Sequence, residues 1–554
     1  MRSALRLTWR HYLAVALVTF CLFLPGRMTL PPLDRDEPRY MEASAQMLET
    51  GNFIDVRFLD QPRYLQPAGI YWLEAGAEKL LGGPGARHQA WPYRIPSLIA
   101  VTGAVTLTAY LGAALFGGAT GLVAAGLLAV STLMGAEGRM ATIDTVLLLD
   151  ILLIETALLA AYLDRLAQRP TGIVTALLYW GALGCGLMLK GPVVLIPAFG
   201  TPLALLLVER ECAWWKRLRP AWGWLVSVAI VLPWCIAIGV ISHGDFFHRA
   251  VGRNFLGKIG HAQEAHGMWP GYYLAVFGIA FWPGAAFTVL GLPAIWKWRR
   301  EPRVRFLLCW IAPHWLVFEL IATKLPHYVL PTYPAIAILT AATLTVWGPV
   351  VARHRAVRWL MNGYVVLWGV LSVAFCFVGM GALWLLEHRI ETANIVATLG
   401  ALLPVLLAIR LLWMGQRLRA TMAALAAAAV IHVGLFITVI PNLDTIRLAP
   451  RAAALYADFK PCADARLISV SYSEPSLAFL VGTQIRLLGL DAAAEELATH
   501  GECALVLVDR RDEARLRAAL AQRGHSLVEY GRVRGLNYSN GHKLDLGLMA
   551  PVTP

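Results

Sequence analysis

Residues 10–27 read Arg10-His-Tyr-Leu-Ala-Val-Ala-Leu-Val-Thr-Phe-Cys-Leu-Phe-Leu-Pro-Gly-Arg27. Arg2, Arg6 and Arg10 precede the apolar run 13–24, and no small-residue cleavage site follows it. The segment is therefore expected to be retained as a first membrane helix rather than removed as a signal peptide. The same pattern returns down the chain. Apolar runs of about 16–24 residues, each able to cross a hydrocarbon core of roughly 30 Å, fall near 11–26, 95–116, 119–134, 143–162, 173–188, 191–208, 224–242, 271–294, 306–323, 330–349, 360–384, 393–411 and 420–440. That makes about thirteen expected spans. Composition agrees. The 554 residues are 58% hydrophobic and 15% charged, with mean hydropathy +0.59, against about 25% charged in a soluble domain. The expected fold class is a polytopic α-helical membrane protein.

The charges that remain are unevenly placed. With a cytoplasmic N-terminus, the inside loops hold Arg165 and Arg169, then Arg210, Lys216, Arg217 and Arg219, then Lys297, Arg299, Arg300, Arg303 and Arg305. Arg353, Arg355 and Arg358, and Arg410, Arg417 and Arg419, continue the series. The short outside loops hold far fewer: Arg139, Lys190, Lys324 and Arg389. This is the asymmetry of the positive-inside rule. It accounts for the net charge of +13 without a nucleic-acid partner. An odd number of spans puts residues 441–554 outside, in a compartment that permits disulfides.

Two outside loops are long, 27–95 and 243–270, and such loops are where a bundle usually builds a site. In the first, 39–48 is expected to be helical, with Tyr40, Met41, Ala45, Met47 and Leu48 toward the membrane surface. Residues 1–440 form the expected membrane domain. In 441–554, strands at 467–470, 485–488 and 504–508 alternate with helices at 492–500 and 513–523. A hairpin of 527–533 and 543–548 closes around Asn537-Tyr-Ser-Asn-Gly541. That is a small α/β domain. Its two cysteines, Cys462 and Cys503, are expected to pair. None of the eight cysteines makes a metal-type Cys-x-x-Cys.

Ionisable residues near a bilayer are costly, so a functional reading comes first. Asp34-Arg-Asp-Glu-Pro-Arg-Tyr40 follows the first span, though a solvated loop would look similar. Asp144, in Arg139-Met-Ala-Thr-Ile-Asp-Thr145, opens the fourth span, where the helix dipole alone favours a carboxylate. Lys190-Gly-Pro192 sits in a tight outside turn against the charge bias, though a lone lysine can snorkel. Lys324-Leu-Pro-His-Tyr-Val-Leu-Pro-Thr-Tyr333 adds a cation and two phenols. The second long loop offers Arg253, Lys258, His261, Glu264 and His266. The His-x-x-Glu-x-His spacing matches no helical zinc motif, so structural histidines compete with a divalent-metal site. Mid-span positions look nearly free of charge, and the polar residues gather at one rim. Cations and phenols suit a phosphate. Carboxylates suit a sugar hydroxyl or a proton to be removed. A lipid-linked phosphosugar presents both.

Asp36-Glu-Pro-Arg-Tyr40 before a helix, Arg63-Tyr-Leu-Gln-Pro67 with Tyr71-Trp72, Asp144 before a span, Lys190-Gly191 and Lys324-Leu-Pro-x-Tyr328 follow one another in a family order. The sequence resembles the ArnT-like lipid A aminoarabinose transferases, relatives of the protein O-mannosyltransferases that share the C-type glycosyltransferase fold. The resemblance is clearest over 30–335. It implies inverting transfer of a sugar, 4-amino-4-deoxy-L-arabinose in the ArnT-like members, from undecaprenyl phosphate to lipid A or another envelope acceptor in the periplasm of a bacterial inner membrane. It makes Asp36 and Asp144 the functional acids and Lys190, Lys324 and Tyr328 donor-phosphate contacts. Arg253 joins them from the second loop, and Asp34, Glu37, Arg39, Tyr40 and Gln66 are candidate substrate contacts. His266 matches a loop histidine able to approach a divalent metal; no cofactor is otherwise expected. One departure stands out. Leu65-Gln66-Pro67 replaces the usual Glu-Lys-Pro, which leaves the metal and the lipid A acceptor open. The competing classes are a lipid-linked-sugar transporter or flippase, expected to show repeats and ionisable residues near the midplane, an oligosaccharide polymerase or O-antigen ligase, and a protein O-glycosyltransferase.

Overall fold

The structure, a computed structural model, describes residues 6–33, 36–257 and 267–552. Among them, 8 helical stretches are long and apolar enough to cross a membrane, or 9 if Tyr272–Ala280 and Ala285–Trp298, bent by 120°, form one broken span. Trp9–Phe23 and Gly118–Ala129 are apolar but shorter. The expected count of about thirteen is therefore not reached, although a helix lies in every expected range. The shortfall has local causes. Ile173–Glu209 is one apolar stretch, broken only by the single turn Gly191–Val194. Pro283 and Gly284 stand at the 120° bend. Proline lacks the N–H that would continue a helix.

The bundle's core is aliphatic and tightly closed: Leu148, Ile151 and Leu158 of Ile143–Leu166 are fully buried. Its mid-membrane is not free of charge as the sequence suggested. Asp150 and Glu155 are buried on the same helix. Thr201 donates to Glu155 at 2.6 Å.

The first long loop is built on the helix Asp36–Thr50, a two-strand turn at Arg57–Phe58 and Gln61–Pro62, and the helix Gly69–Ala77. Asp36–Thr50 does not lie on a membrane surface. Met41 and Ala45 share a core with Tyr93, Ala141 and Phe479, the last from the C-terminal domain. The His88 ring meets the Phe479 carbonyl oxygen at 2.8 Å and the Glu49 carboxylate at 3.5 Å. Arg486 pairs with Asp60. The loop and the C-terminal domain thus occupy one end of the bundle. A fully buried side chain the size of Phe479 is worth about 1.5–3 kcal/mol, so one aromatic holds much of this junction.

The C-terminal domain is α/β, as its alternation indicated. Arg466–Ser469 pairs in parallel with Ile485–Leu487 on one side and Ala504–Asp509 on the other. The antiparallel hairpin Ser526–Asn537 and His542–Val552 extends the sheet from Ala504–Asp509. Side chains alternate between faces. Leu505 and Leu507 enter one core while Val506 and Val508 enter another beneath Leu490–His500 and Arg510–Ala521. Cys462 and Cys503 are joined, with their Cα atoms 5.9 Å apart.

Candidate functional site

Two helix ends meet below the first loop. Asp144 lies in the first turn of Ile143–Leu166, and Lys190 is the last residue of Ile173–Lys190. Each charge complements its helix dipole. Gly191, at φ +64°, ends the second helix in a left-handed conformation that L side chains rarely adopt. Lys190 Nζ is 2.5 Å from Asp144 Oδ1. The helix Gly69–Ala77 closes down on the same end. A Cβ at Gly69 would come within 2.6 Å of the Met188 carbonyl oxygen, so only glycine allows this approach.

The short helix Pro326–Thr332 supplies the other wall. His327 Nε2 is 3.8 Å from Asp144 Oδ2, and its Nδ1 is 3.3 Å from Glu137 Oε1. Lys190 Nζ lies 5.6 Å from the centre of the Tyr328 ring. These groups border a cavity of about 160 Å³ whose polar lining is Gln66, Asp144, Lys190, Asn254, His314, His327 and Tyr328. Ile196, Phe246 and Phe318 supply apolar wall.

Above this lies a layer of phenols and one cation. The Tyr40 hydroxyl donates to Gln66 Oε1 at 3.2 Å. Arg63 donates to the Tyr71 hydroxyl at 3.0 Å and lies 5.2 Å from the centre of the Tyr40 ring. Burial raises the Tyr40 hydroxyl well above its ordinary pKa; Tyr71, Asp36 and Asp144 add to that and Arg63 opposes it. Both acids therefore lie within electrostatic reach of Tyr40. Asp36 is 65% exposed and only loosely paired, 3.8 Å from Arg39.

The structure thus brings Gln66, Asp144, Lys190 and Tyr328 together at one cavity, with Tyr40 a single hydrogen bond behind; Asp36 is exposed and does not line it. Other expected contacts fall elsewhere. Lys324 is buried and gives its ammonium to the Ile321 carbonyl, behind the wall. Arg253 lies on the exposed side of His248–Leu256, whereas Ala250, Val251 and Asn254 line the cavity. Glu37 is not a substrate contact. It is fully buried, taking Arg94 Nε and Nη2 at 2.7 and 2.9 Å and the backbone N–H groups of Leu33 and Ala141, both at 2.8 Å. No lone pair is left for a ligand. Arg94 in turn donates to the Arg27, Leu30 and Pro31 carbonyls, so this pair staples the chain leaving the first helix. Asp34 and the loop histidines His261 and His266, with Glu264, lie outside the described residues.

His327 and Glu137 escaped the sequence reading. The signal was in view, since His327 stands inside Lys324-Leu-Pro-His-Tyr328. Glu137, His327 and Asp144 come within 4.8 Å of one another, close enough for one cation. The arrangement fits a proton better than a divalent ion. The two ring nitrogens face different carboxylates, and Lys190 already neutralises Asp144.

Fold and site together define a polytopic helical membrane protein with the acids and cations of its site at one end of the bundle. The resemblance read from its motifs holds in comparison with known proteins. The Dolichyl-phosphate-mannose-protein mannosyltransferase family model matches residues 8–246. The undecaprenyl phosphate-alpha-4-amino-4-deoxy-L-arabinose arabinosyl transferase of Pectobacterium carotovorum subsp. carotovorum is 29% identical over 380 residues, 66% of this chain and 65% of that protein. The match thus spans just under two thirds of that relative. ArnT from Cupriavidus metallidurans, solved bound to undecaprenyl phosphate, superposes with a TM-score of 0.73 at 18% identity, covering 97% of both chains. The Archaeoglobus fulgidus oligosaccharyltransferase superposes with a TM-score of 0.52 at 12% identity over 97% of this chain and 74% of its own.

Proposed function

We propose that this chain is a polyprenyl-phosphate-sugar-dependent glycosyltransferase of the bacterial inner membrane. It takes a sugar from undecaprenyl phosphate and passes it, with inversion, to lipid A or another envelope acceptor at the periplasmic face. The observation that carries this reading is the cavity where Lys190 and Tyr328 meet Asp144 and Gln66 under the first-loop helix. The 29% identical relative and the superposed ArnT, named for this donor chemistry, support it.

The orientation rests on charge. Helix Ile143–Leu166 has 24 residues, or about 36 Å. Asp144 opens it, and near its other end Tyr162 and Arg305 both donate to Glu209. The basic loops cluster with Arg305, and the positive-inside rule makes that end cytoplasmic. The C-terminal domain shares the site's end and is therefore periplasmic.

In the transfer, the acceptor attacks the anomeric carbon as its bond to the phosphate oxygen breaks. The leaving phosphate gains negative charge. Lys190 and Tyr328 stabilise it through charge-assisted hydrogen bonds. We assign Asp36, exposed and within electrostatic reach of Tyr40, to the acceptor. With a hydroxyl acceptor it acts as general base, a role worth about 10²–10⁴ in rate. With a lipid A phosphate, already an anion, no base is needed and Asp36 orients donor or acceptor through a bridging cation. Protein cations neutralise the leaving group, so turnover onto a hydroxyl acceptor is expected to survive exhaustive chelation. Mass spectrometry of lipid A and envelope glycans with and without the gene tests the reading. Loss of one hexose- or pentose-sized modification is expected; an unchanged envelope contradicts it.

A further inference from the structure

Asp144 faces two basic side chains, Lys190 and His327. Lys190 holds Oδ1 at 2.5 Å, while His327 Nε2 stands off from Oδ2 at 3.8 Å. The other nitrogen of the same ring is 3.3 Å from Glu137. A neutral imidazole has one N–H and one lone pair, so it would turn a lone pair on one of these carboxylates. Only the protonated ring donates to both. Charge balance points the same way. Glu137 and Asp144 bring two negative charges, Lys190 brings one positive, and an imidazolium makes this enclosed group neutral. Neutrality is what a poorly solvated cluster requires.

The arrangement leaves Lys190 occupied by the carboxylate before any phosphate arrives. A lysine that left Asp144 would strand a partly buried anion unless another cation replaced it. We infer that His327 is that replacement: a reserve counter-ion for Asp144 that frees Lys190 for a phosphate in the cavity. Lys190 turns its ammonium to the phosphate, and the imidazolium closes the 3.8 Å gap to Asp144. No covalent bond changes and no proton is lost. Glu137 is the positioning residue, holding the ring from the far side. The inference rests on the reading of this cavity as a polyprenyl-phosphate site.

Among the described residues, the surroundings of His327 are otherwise committed or neutral. His314 Nε2 meets the Tyr328 carbonyl oxygen at 2.9 Å, and Glu319 accepts from the Gly271 N–H at 2.8 Å. Tyr273, Tyr328 and Tyr333 are phenols on the neighbouring elements. Among the described residues, Glu137, Asp144 and Lys190 are therefore the charges that face the ring.

The test is undecaprenyl phosphate binding to the full-length protein in detergent, followed between about pH 6 and pH 9, across the range where histidine loses its proton. Wild-type affinity is expected to fall as pH rises. The lipid phosphate's own second ionisation, near pH 6, works in the opposite direction and cannot produce that fall. H327Q is expected to bind about tenfold more weakly, a difference of about 1.4 kcal/mol, with the downward pH trend gone. H327K keeps a cation there and should restore binding without the histidine pH dependence. D144N/H327Q should recover most of the lost affinity, because nothing then detains Lys190. H327Q binding like wild type, or D144N/H327Q binding as weakly as H327Q, overturns the inference while leaving the phosphate site standing. So does stoichiometric zinc binding that H327Q abolishes. A wild-type protein that binds no undecaprenyl phosphate at any pH removes both the site reading and the inference.

Discussion

Asp36 and Glu37 are chain neighbours in opposite surroundings. Asp36 is 65% exposed, and its Arg39 partner is 3.8 Å away. Such surface pairs are worth about 0–1 kcal/mol. Asp36→Asn is therefore expected to leave the detergent melting temperature nearly unchanged while removing almost all turnover. Near-normal turnover would take Asp36 out of the mechanism. Glu37 is completely buried against Arg94. Breaking a buried pair from one side costs about 3–5 kcal/mol, so Glu37→Ala should lower the melting temperature and the yield of folded protein. A Glu37→Ala protein as stable as wild type would refute the staple.

Glu42 offers a pH test at the same scale. Both its carboxylate oxygens are buried with no hydrogen-bond partner among the described residues, and burial, with Glu49 adding, holds its pKa well above the ordinary 4.5. The folded state keeps a proton that the unfolded chain loses. Stability from this group is therefore complete below pH 4.5 and declines as pH rises toward the folded value. Glu42→Gln should be nearly neutral at about pH 4.5 and increasingly stabilising toward about pH 8. A difference in melting temperature that stays constant with pH would contradict the assignment.

Elements were legible in proportion to how local their causes are. The helices follow from apolar runs and the C-terminal strands from alternating burial, so their ranges could be read directly. What sequence period cannot report is which neighbour covers an apolar face. Met41 and Ala45 look like a membrane contact in the sequence because their partner, Phe479, lies over 400 positions away. Lys324 reads as a phosphate contact because a cation beside a membrane looks alike whether it lines a cavity or sits behind its wall. His327 was passed over for the converse reason. Its meaning comes from two carboxylates on other elements, Glu137 and Asp144. Length alone merges two runs in Ile173–Glu209, whose Lys190 lies at the Asp144 end and whose Glu209 lies at the other beside Tyr162, and it divides another run at a 120° bend. The Phe479 contact is testable. Phe-to-Ala changes in cores cost about 3–5 kcal/mol. Phe479→Ala should raise hydrogen exchange in both Asp36–Thr50 and the C-terminal domain, while the bundle stays protected. Exchange confined to the C-terminal domain would mean the two do not share a core.

At the scale of the whole molecule, the site, the first loop and the C-terminal domain gather at one end of the bundle. The basic loops lie at the other. Reporter fusions after Arg300 are expected to report cytoplasm and those after Asn442 periplasm; an inside report after Asn442 would refute the orientation. The Cys462–Cys503 bond belongs to the same statement, because such bonds persist in oxidising compartments. The central claim is that this end of the molecule breaks the bond between a sugar and a polyprenyl phosphate, with Lys190 holding the phosphate. Its most direct test is conversion of a labelled undecaprenyl-phosphate sugar by purified wild-type and Lys190→Ala protein, supplied with an envelope lipid fraction as acceptor. The account predicts free undecaprenyl phosphate and labelled acceptor with wild type, and a fall of about 10²-fold or more for Lys190→Ala at comparable thermal stability. A donor left intact by wild type, or full turnover by Lys190→Ala, would contradict it.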